Sequence, residues 1–158
     1  MPSWRTPQHV ALGMSMALLL AGSHASAQSV REFGLHGLAT FAEETFAGGG
    51  LSAGLRPGGR SRIALSLNAG ACDGQLAGRG EVAVHFLLNP RAQGTGVYGG
   101  GGLAGIVGPV DAGYVLLVLG VEAHPGGSRG WVVEAGLGGG FRILVGYHWR
   151  SLRGRREP

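Results

Sequence analysis

Apolar and polar side chains alternate along most of the chain after residue 30, with the two-residue period of a β-strand that has two different faces. The final segment shows this most clearly. One of its faces carries only apolar and aromatic side chains, namely Phe141, Ile143, Val145, Tyr147 and Trp149. The other face includes Arg142 and His148. An α-helix would scatter both sets around its circumference, so the pattern predicts a strand.

Seven further segments follow the same period, and most are separated by turn residues such as Pro57-Gly58-Gly59 and Pro125-Gly126-Gly127. The predicted strands are 32–41, 47–56, 62–72, 79–88, 97–107, 114–123, 131–137 and 141–150. Segment 97–107 is so rich in glycine that its faces cannot be assigned. A glycine-zipper helical hairpin can also be drawn over residues 92–110, but the glycines and Pro109 make such helices poor.

The chemistry of the second face decides which side of the sheet is the inside. Eight charged residues fall on it: Glu32, Arg56, Arg62, Arg79, Glu81, Glu122, Glu134 and Arg142. The exterior of a soluble protein is usually dense in lysine and glutamate, whereas this chain has no lysine, only 14% charged residues and 33 glycines. The remaining positions of the second face are mostly glycine, alanine and serine, which suit the narrow interior of an eight-stranded barrel.

We therefore predict a transmembrane β-barrel with an apolar face toward lipid and a paired, charged lumen. The predicted lumen ion pairs involve Glu32, Arg62, Arg79, Glu81, Glu122, Glu134 and Arg142. The predicted interfacial aromatics are Phe33, Phe41, Trp131, Phe141, Tyr147 and Trp149. Segments of nine to eleven residues match the span of tilted strands across an outer membrane, and an arginine facing lipid at its midplane would cost about 2–4 kcal/mol.

The end of the chain carries a family resemblance. Residues 138–150, Gly-Gly-Gly-Phe-Arg-Ile-Leu-Val-Gly-Tyr-His-Trp-Arg, follow Gly-Trp-Val-Val-Glu at 130–134. Together they resemble the last hairpin of small OmpA-like outer-membrane β-barrel proteins. The resemblance implies an eight-stranded antiparallel up-and-down meander, both termini in the periplasm, insertion by the barrel-assembly machinery and residence in the outer membrane of a Gram-negative cell. In such families the last strand ends on an aromatic residue, whereas here Arg150 and then residues 151–158 follow Trp149.

The first 27 residues predict a cleaved export signal. Arg5 provides a basic start, residues 10–21 are apolar, and Ala25-Ser26-Ala27 matches a signal cleavage site. The barrel is then expected over 28–150 and a basic tail over 151–158. The formal net charge of +4 comes mainly from the arginines at the end, because Gln28 to Trp149 holds eight arginines and eight acids. We expect no nucleic-acid partner, since the body lacks a basic face.

The sequence predicts no catalytic activity, no cofactor and no metal site. By strand parity Ser52, Ser66, His36, His85 and His148 face the lumen, yet no nucleophile motif surrounds either serine and no histidine pair has metal-ligand spacing. Cys72, the only cysteine, predicts a small half-buried residue. We expect a monomer among outer-membrane lipids with a structural or envelope-integrity role. A soluble periplasmic barrel for a small apolar ligand and a narrow pore remain the alternatives.

Overall fold

Eight β-strands make up the part of the protein that the computed structural model describes, residues 29–151. They are β1 (Val30–Phe41), β2 (Phe46–Gly58), β3 (Ser61–Cys72), β4 (Gln75–Leu87), β5 (Thr95–Val107), β6 (Ala112–Ala123), β7 (Arg129–Leu137) and β8 (Phe141–Ser151). The predicted export signal and residues 152–158 of the predicted tail lie outside the described residues. Within residues 29–151, no helix is long and apolar enough to span a membrane.

The sheet closes into a barrel. Each strand pairs antiparallel with the next one along the chain, and β8 pairs antiparallel with β1 from Arg31–Ser151 to Phe41–Phe141. The predicted all-β, eight-stranded antiparallel up-and-down barrel is confirmed. The helical hairpin considered for residues 92–110 is wrong, because β5 covers most of that segment and its glycines sit in backbone ladders with β4 and β6. Closure leaves no unpaired sheet edge.

The two ends of the barrel differ in their connections. The end where β1 begins and β8 finishes also holds the three connections at 59–60, 88–94 and 124–128, and we call it the terminal rim. The opposite end, the distal rim, holds the connections at 42–45, 73–74, 108–111 and 138–140. The distal connections are two to four residues long, so the distal rim has little surface beyond the strands themselves.

The two faces of the wall have inverted polarity relative to a water-soluble protein. Large apolar side chains point outward, and Leu65, Val84 and Val145 are 46%, 41% and 55% exposed. Arg62 and Glu134 point inward and are 1% and 5% exposed. The alternation of the sequence therefore corresponds to an apolar exterior and a charged lumen.

Apolar side chains also fill part of the lumen, which differs from the predicted lining of small residues. Leu38, Phe46, Cys72 and Ile106 are buried toward the distal rim, and Leu116 and Val118 are buried with Ala83 further along the lumen. The charged side chains occupy only part of the enclosed space. These larger apolar side chains fill the rest to the close packing of a protein interior. Cys72 is a buried free cysteine rather than the half-buried residue we predicted.

Candidate functional site

Within the part of the chain that the structure describes, the lumen of the barrel contains nine buried charged side chains, which form two clusters. The terminal cluster consists of Glu32, Arg56, Arg62, Glu122 and Arg150. The distal cluster consists of Arg79, Glu81, Glu134 and Arg142. The strands deliver these residues to one space because every second residue of a strand faces the same side.

In the terminal cluster each carboxylate contacts every guanidinium. The distances from Glu32 are 2.6 Å to Arg56, 3.4 Å to Arg62 and 2.9 Å to Arg150. The distances from Glu122 are 3.0 Å to Arg56, 3.1 Å to Arg62 and 2.8 Å to Arg150. A buried ion that meets several counter-ions keeps most of the interaction it lost with water. The terminal cluster is therefore a mutually supporting network rather than a set of separate pairs.

The terminal cluster holds three arginines against two glutamates, and backbone carbonyls of the 124–128 connection accept further hydrogen bonds from two of the arginines. Arg150 donates from Nη1 to the carbonyl oxygen of His124 at 3.1 Å, and Arg56 donates to that of Pro125 at 3.4 Å. His124 adopts a φ of 50°, the left-handed region that residues other than glycine seldom enter. The connection between β6 and β7 thus contributes to the charge network of the terminal rim.

The distal cluster is a linear chain of contacts with balanced charge. Arg79 lies 2.9 Å from Glu81, and Arg142 lies 2.7 Å from Glu81. Arg142 also reaches Glu134 at 2.8 Å, and Arg79 donates to the carbonyl oxygen of Gly138 at 2.7 Å. Among residues 29–151, Glu134 has one arginine contact, whereas each carboxylate in the terminal cluster has three.

Aromatic side chains join the two clusters. The guanidinium carbon of Arg62 lies 4.3 Å from the ring centroid of Tyr98, within the range of a cation–π interaction, and Arg62 Nε donates to His85 Nδ1 at 3.0 Å. The Tyr98 hydroxyl donates to Glu134 Oε1 at 2.7 Å. The ring fits because its neighbour is Gly120, where a Cβ would overlap the Tyr98 ring. Tyr98 therefore connects the terminal cluster to the distal cluster.

A small cavity lies beside these clusters. Its volume is about 40 Å³, and its lining includes His36, Ser52, Ser66 and His148. This exceeds the roughly 10–15 Å³ that a cavity needs to hold one water molecule. His36 Nε2 lies 2.7 Å from the side-chain oxygen of Asn68.

The serines and histidines do not form a catalytic triad in the part of the chain that the structure describes. The hydroxyl of Ser52 lies 3.4 Å from Nε2 of His148, but Nδ1 of His148 has no hydrogen-bond partner that would orient the ring. Ser66 contacts Glu81 at 3.5 Å. Over residues 29–151 no group of three or more histidine, cysteine or acidic side chains is arranged to hold a metal ion.

The structure brings all seven predicted ion-pair residues into the two clusters. Sequence reasoning left out two arginines and the aromatic link. Arg56 shares the parity of the charged face, but it sits beside the turn at Pro57. Arg150 shares the parity of Arg142, but it is the last residue of the predicted barrel and lies next to the basic tail. Tyr98 gave no signal because the faces of the glycine-rich segment could not be assigned.

The six aromatic residues predicted for the interfaces all lie on the outer face, between 36% and 62% exposed. Near the terminal rim Phe33 is opposite Trp149, and Trp131 is opposite Tyr147. Phe41 and Phe141 form an opposed pair at the distal rim. The aromatic side chains thus fall into two groups, one toward each end of the barrel.

Comparison with known proteins yields similarity of structure only. No protein-family model and no curated protein matches the chain. Among solved structures, it is similar to the N-terminal β-barrel domain of OprF from Pseudomonas aeruginosa, with a TM-score of 0.60 and 16% sequence identity. The match covers 79% of this chain and 98% of the OprF domain. At this level of identity the similarity shows a shared barrel fold.

Proposed function

We propose that this chain is an OmpA-like β-barrel of the outer membrane with a structural, non-catalytic role in the envelope. The observation that carries the proposal is the inverted polarity of the wall. Outward side chains such as Leu51, Val115 and Leu119 are 64%, 71% and 72% exposed, while nine charged side chains are buried in the lumen. Lipid stabilises such an exterior, and water would not.

The alternative of a soluble barrel for an apolar ligand requires a dry apolar interior. Here charged side chains line the lumen beside the buried apolar ones, and the cavity next to the charged clusters is only about 40 Å³. A drug-sized ligand needs roughly 300 Å³ or more. The inner space therefore suits neither an apolar guest nor a standing pore, and we expect purified protein to produce no steady conductance in planar bilayers.

The short distal connections also support a structural role. Loops of two to four residues offer little area for an adhesive or receptor surface. The aromatic groups toward the two rims suit the two membrane–water interfaces, where such side chains anchor a barrel. The OprF domain, whose fold the chain shares, is also a β-barrel, which is consistent with this role.

The decisive experiment compares two outward substitutions. Leu65→Arg lies in the middle of β3, whereas Leu76→Arg lies beside the distal rim at the start of β4, where the side chain is 85% exposed. In a membrane the first variant should lose about 2–4 kcal/mol of unfolding free energy and the second about 0–1 kcal/mol. Urea unfolding in lipid vesicles measures both, and a shift between heated and unheated gel mobility reports folding.

Equal, small effects of the two arginines would contradict membrane residence. Cell fractionation provides the complementary measurement, because the proposal requires extraction by detergent and not release with soluble periplasmic protein. The envelope role is tested by deleting the gene and measuring sensitivity to detergent. Wild-type protein should restore resistance, and the Leu65→Arg variant should restore less. No change in sensitivity on deletion would contradict the envelope role.

A further inference from the structure

The exposed charges of the barrel are separated by sign between its two ends. Among residues 29–151, the exposed acids lie at or beside the distal rim: Glu43, Glu44, Asp73 and Asp111. The exposed arginines of the same residues lie at or beside the terminal rim: Arg31, Arg60, Arg91 and Arg129. The outer wall between the rims carries apolar side chains. The terminal rim therefore attracts anions from its surroundings.

Two of these arginines line a groove. The groove has a volume of about 490 Å³ and lies between the connection from β2 to β3 and the connection from β4 to β5. Arg60 and Arg91 belong to its lining together with Leu88, which is 70% exposed. Leu88 continues the outward parity of Val84 and Phe86, so the groove opens from a cationic rim onto the apolar wall.

The loop that forms one side of the groove is held in place by hydrogen bonds. Asn89 accepts a hydrogen bond from the backbone of Val97 at 2.9 Å and donates to the carbonyl of Thr95 at 3.1 Å. The backbone amide of Leu87 donates to the carbonyl of Arg60 at 2.7 Å, which ties the two sides together. A braced site loses less conformational entropy when a ligand binds.

We propose that this groove binds the headgroup of an anionic phospholipid, with Arg60 and Arg91 at the phosphate and Leu88 against the start of an acyl chain. Guanidinium groups match phosphate oxygens in geometry and charge, often through two parallel hydrogen bonds. An amphiphile is the occupant that fits a cationic edge continuous with an apolar wall. The inference rests on the membrane residence proposed above and adds a lipid class and a location.

Native mass spectrometry of the folded barrel, released from nonionic detergent micelles, tests the site. Phosphatidylglycerol and phosphatidylcholine with the same acyl chains are added at equal concentration. The wild-type barrel should retain phosphatidylglycerol in preference. Arg60→Gln/Arg91→Gln should lower phosphatidylglycerol binding about tenfold or more, because each arginine near an anionic headgroup raises the binding constant several-fold. The same variant should lower phosphatidylcholine binding much less, because the choline ammonium already offsets the phosphate charge that attracts the two arginines.

The matched control is Arg31→Gln/Arg129→Gln, which removes two exposed charges from the same rim but outside the groove. It should lower phosphatidylglycerol binding less than about twofold. Equal losses in both double variants would overturn the groove and leave only diffuse attraction. Displacement of the lipid by millimolar inorganic phosphate would instead assign the site to free phosphate and overturn the lipid proposal.

The lipid-binding test can fail or succeed independently of the test of membrane residence. Heated and unheated gel mobility shows whether each variant is folded before its lipids are counted. If Leu65→Arg leaves the free energy of unfolding unchanged while the barrel still selects phosphatidylglycerol, membrane residence is refuted and the proposed lipid site stands. A barrel that fails to select phosphatidylglycerol but loses stability on Leu65→Arg would refute the groove alone.

Discussion

The two charged clusters of the lumen are built from the same side chains but are connected differently. In the terminal cluster each of two glutamates contacts all three arginines. In the distal cluster the contacts form a line from Arg79 through Glu81 and Arg142 to Glu134. When one arginine of the terminal cluster is removed, every remaining charge keeps contacts of opposite sign. When an inner residue of the distal cluster is removed, the residue at the end loses its ion-pair partner. Connectivity, more than the number of ion pairs, should therefore set the energetic weight of each residue.

The largest effect should come from removing a carboxylate of the terminal cluster. Glu122→Gln leaves three buried guanidiniums with Glu32 as their only cluster carboxylate. An uncompensated buried charge costs about 3–5 kcal/mol. Urea unfolding in detergent or vesicles, followed by tryptophan fluorescence, measures the loss. Glu43→Gln on the exposed distal rim is the control and should change little. A loss below about 1 kcal/mol for Glu122→Gln would contradict the network.

The distal line should show strong coupling between Glu134 and Arg142. Arg142→Gln removes the only arginine contact that Glu134 makes among the described residues and should cost about 3 kcal/mol. The double variant Glu134→Gln/Arg142→Gln leaves the Arg79–Glu81 pair intact and should be more stable than either single variant. The same unfolding measurement on the wild type, both single variants and the double variant completes the double-mutant cycle. Additive losses in the double variant would show that the line is not a coupled unit.

The link between the clusters should be weaker than the clusters themselves. Tyr98→Phe deletes the hydroxyl that donates to Glu134 at 2.7 Å, and a hydrogen bond to a charged group contributes about 1.5–3 kcal/mol. In this background the coupling energy between Glu122→Gln and Glu134→Gln should fall toward zero. Tyr147→Phe, on the outer face, is the matched control. Unchanged coupling would mean that the clusters communicate by another route.

The smallest effect should come from the surplus arginine. Arg56→Gln leaves two arginines and two glutamates in the terminal cluster, each carboxylate still contacting Arg62 and Arg150. The Nε atom of Arg56 already lacks a hydrogen-bond partner within the described residues. We expect a loss of about 1 kcal/mol or less. A loss as large as that of Glu122→Gln would remove the distinction between a network and a line.

The strands could be predicted from the sequence because the two sides of the wall differ in chemistry. All eight predicted segments correspond to observed strands, with differences mainly at the ends. The largest difference is at β4, which begins at Gln75 and not at residue 79. Its preceding turn is only Asp73 and Gly74, both with positive φ, as in the tight turns that match the twist of a hairpin. The Asp-Gly pair predicts the turn, but residues 75–78 show too little contrast between the two faces to mark the first residues of the strand.

The lumen was harder to predict because parity reveals the face of a residue and not its height along the barrel. The seven ion-pair residues follow from parity, but their division into two clusters depends on strand register. In β6 the inward residues Leu116 and Val118 are as apolar as their outward neighbours. The sequence therefore does not indicate that these two side chains face the lumen. In β5 the inward position of Tyr98 is fixed by pairing with β4 and β6.

The seam between β1 and β8 brings the two ends of the described chain side by side, with Arg31 opposite Ser151. Arg150 contacts Glu32 across this seam at 2.9 Å, although 118 positions separate them along the chain. A circular permutant that joins these ends by a short linker and opens at Asp73–Gly74 would keep every strand ladder. It would convert the β1–β8 pairing into a hairpin and make β3–β4 the most distant pairing, so the entropy cost of closing the barrel would move to that seam and stay about the same.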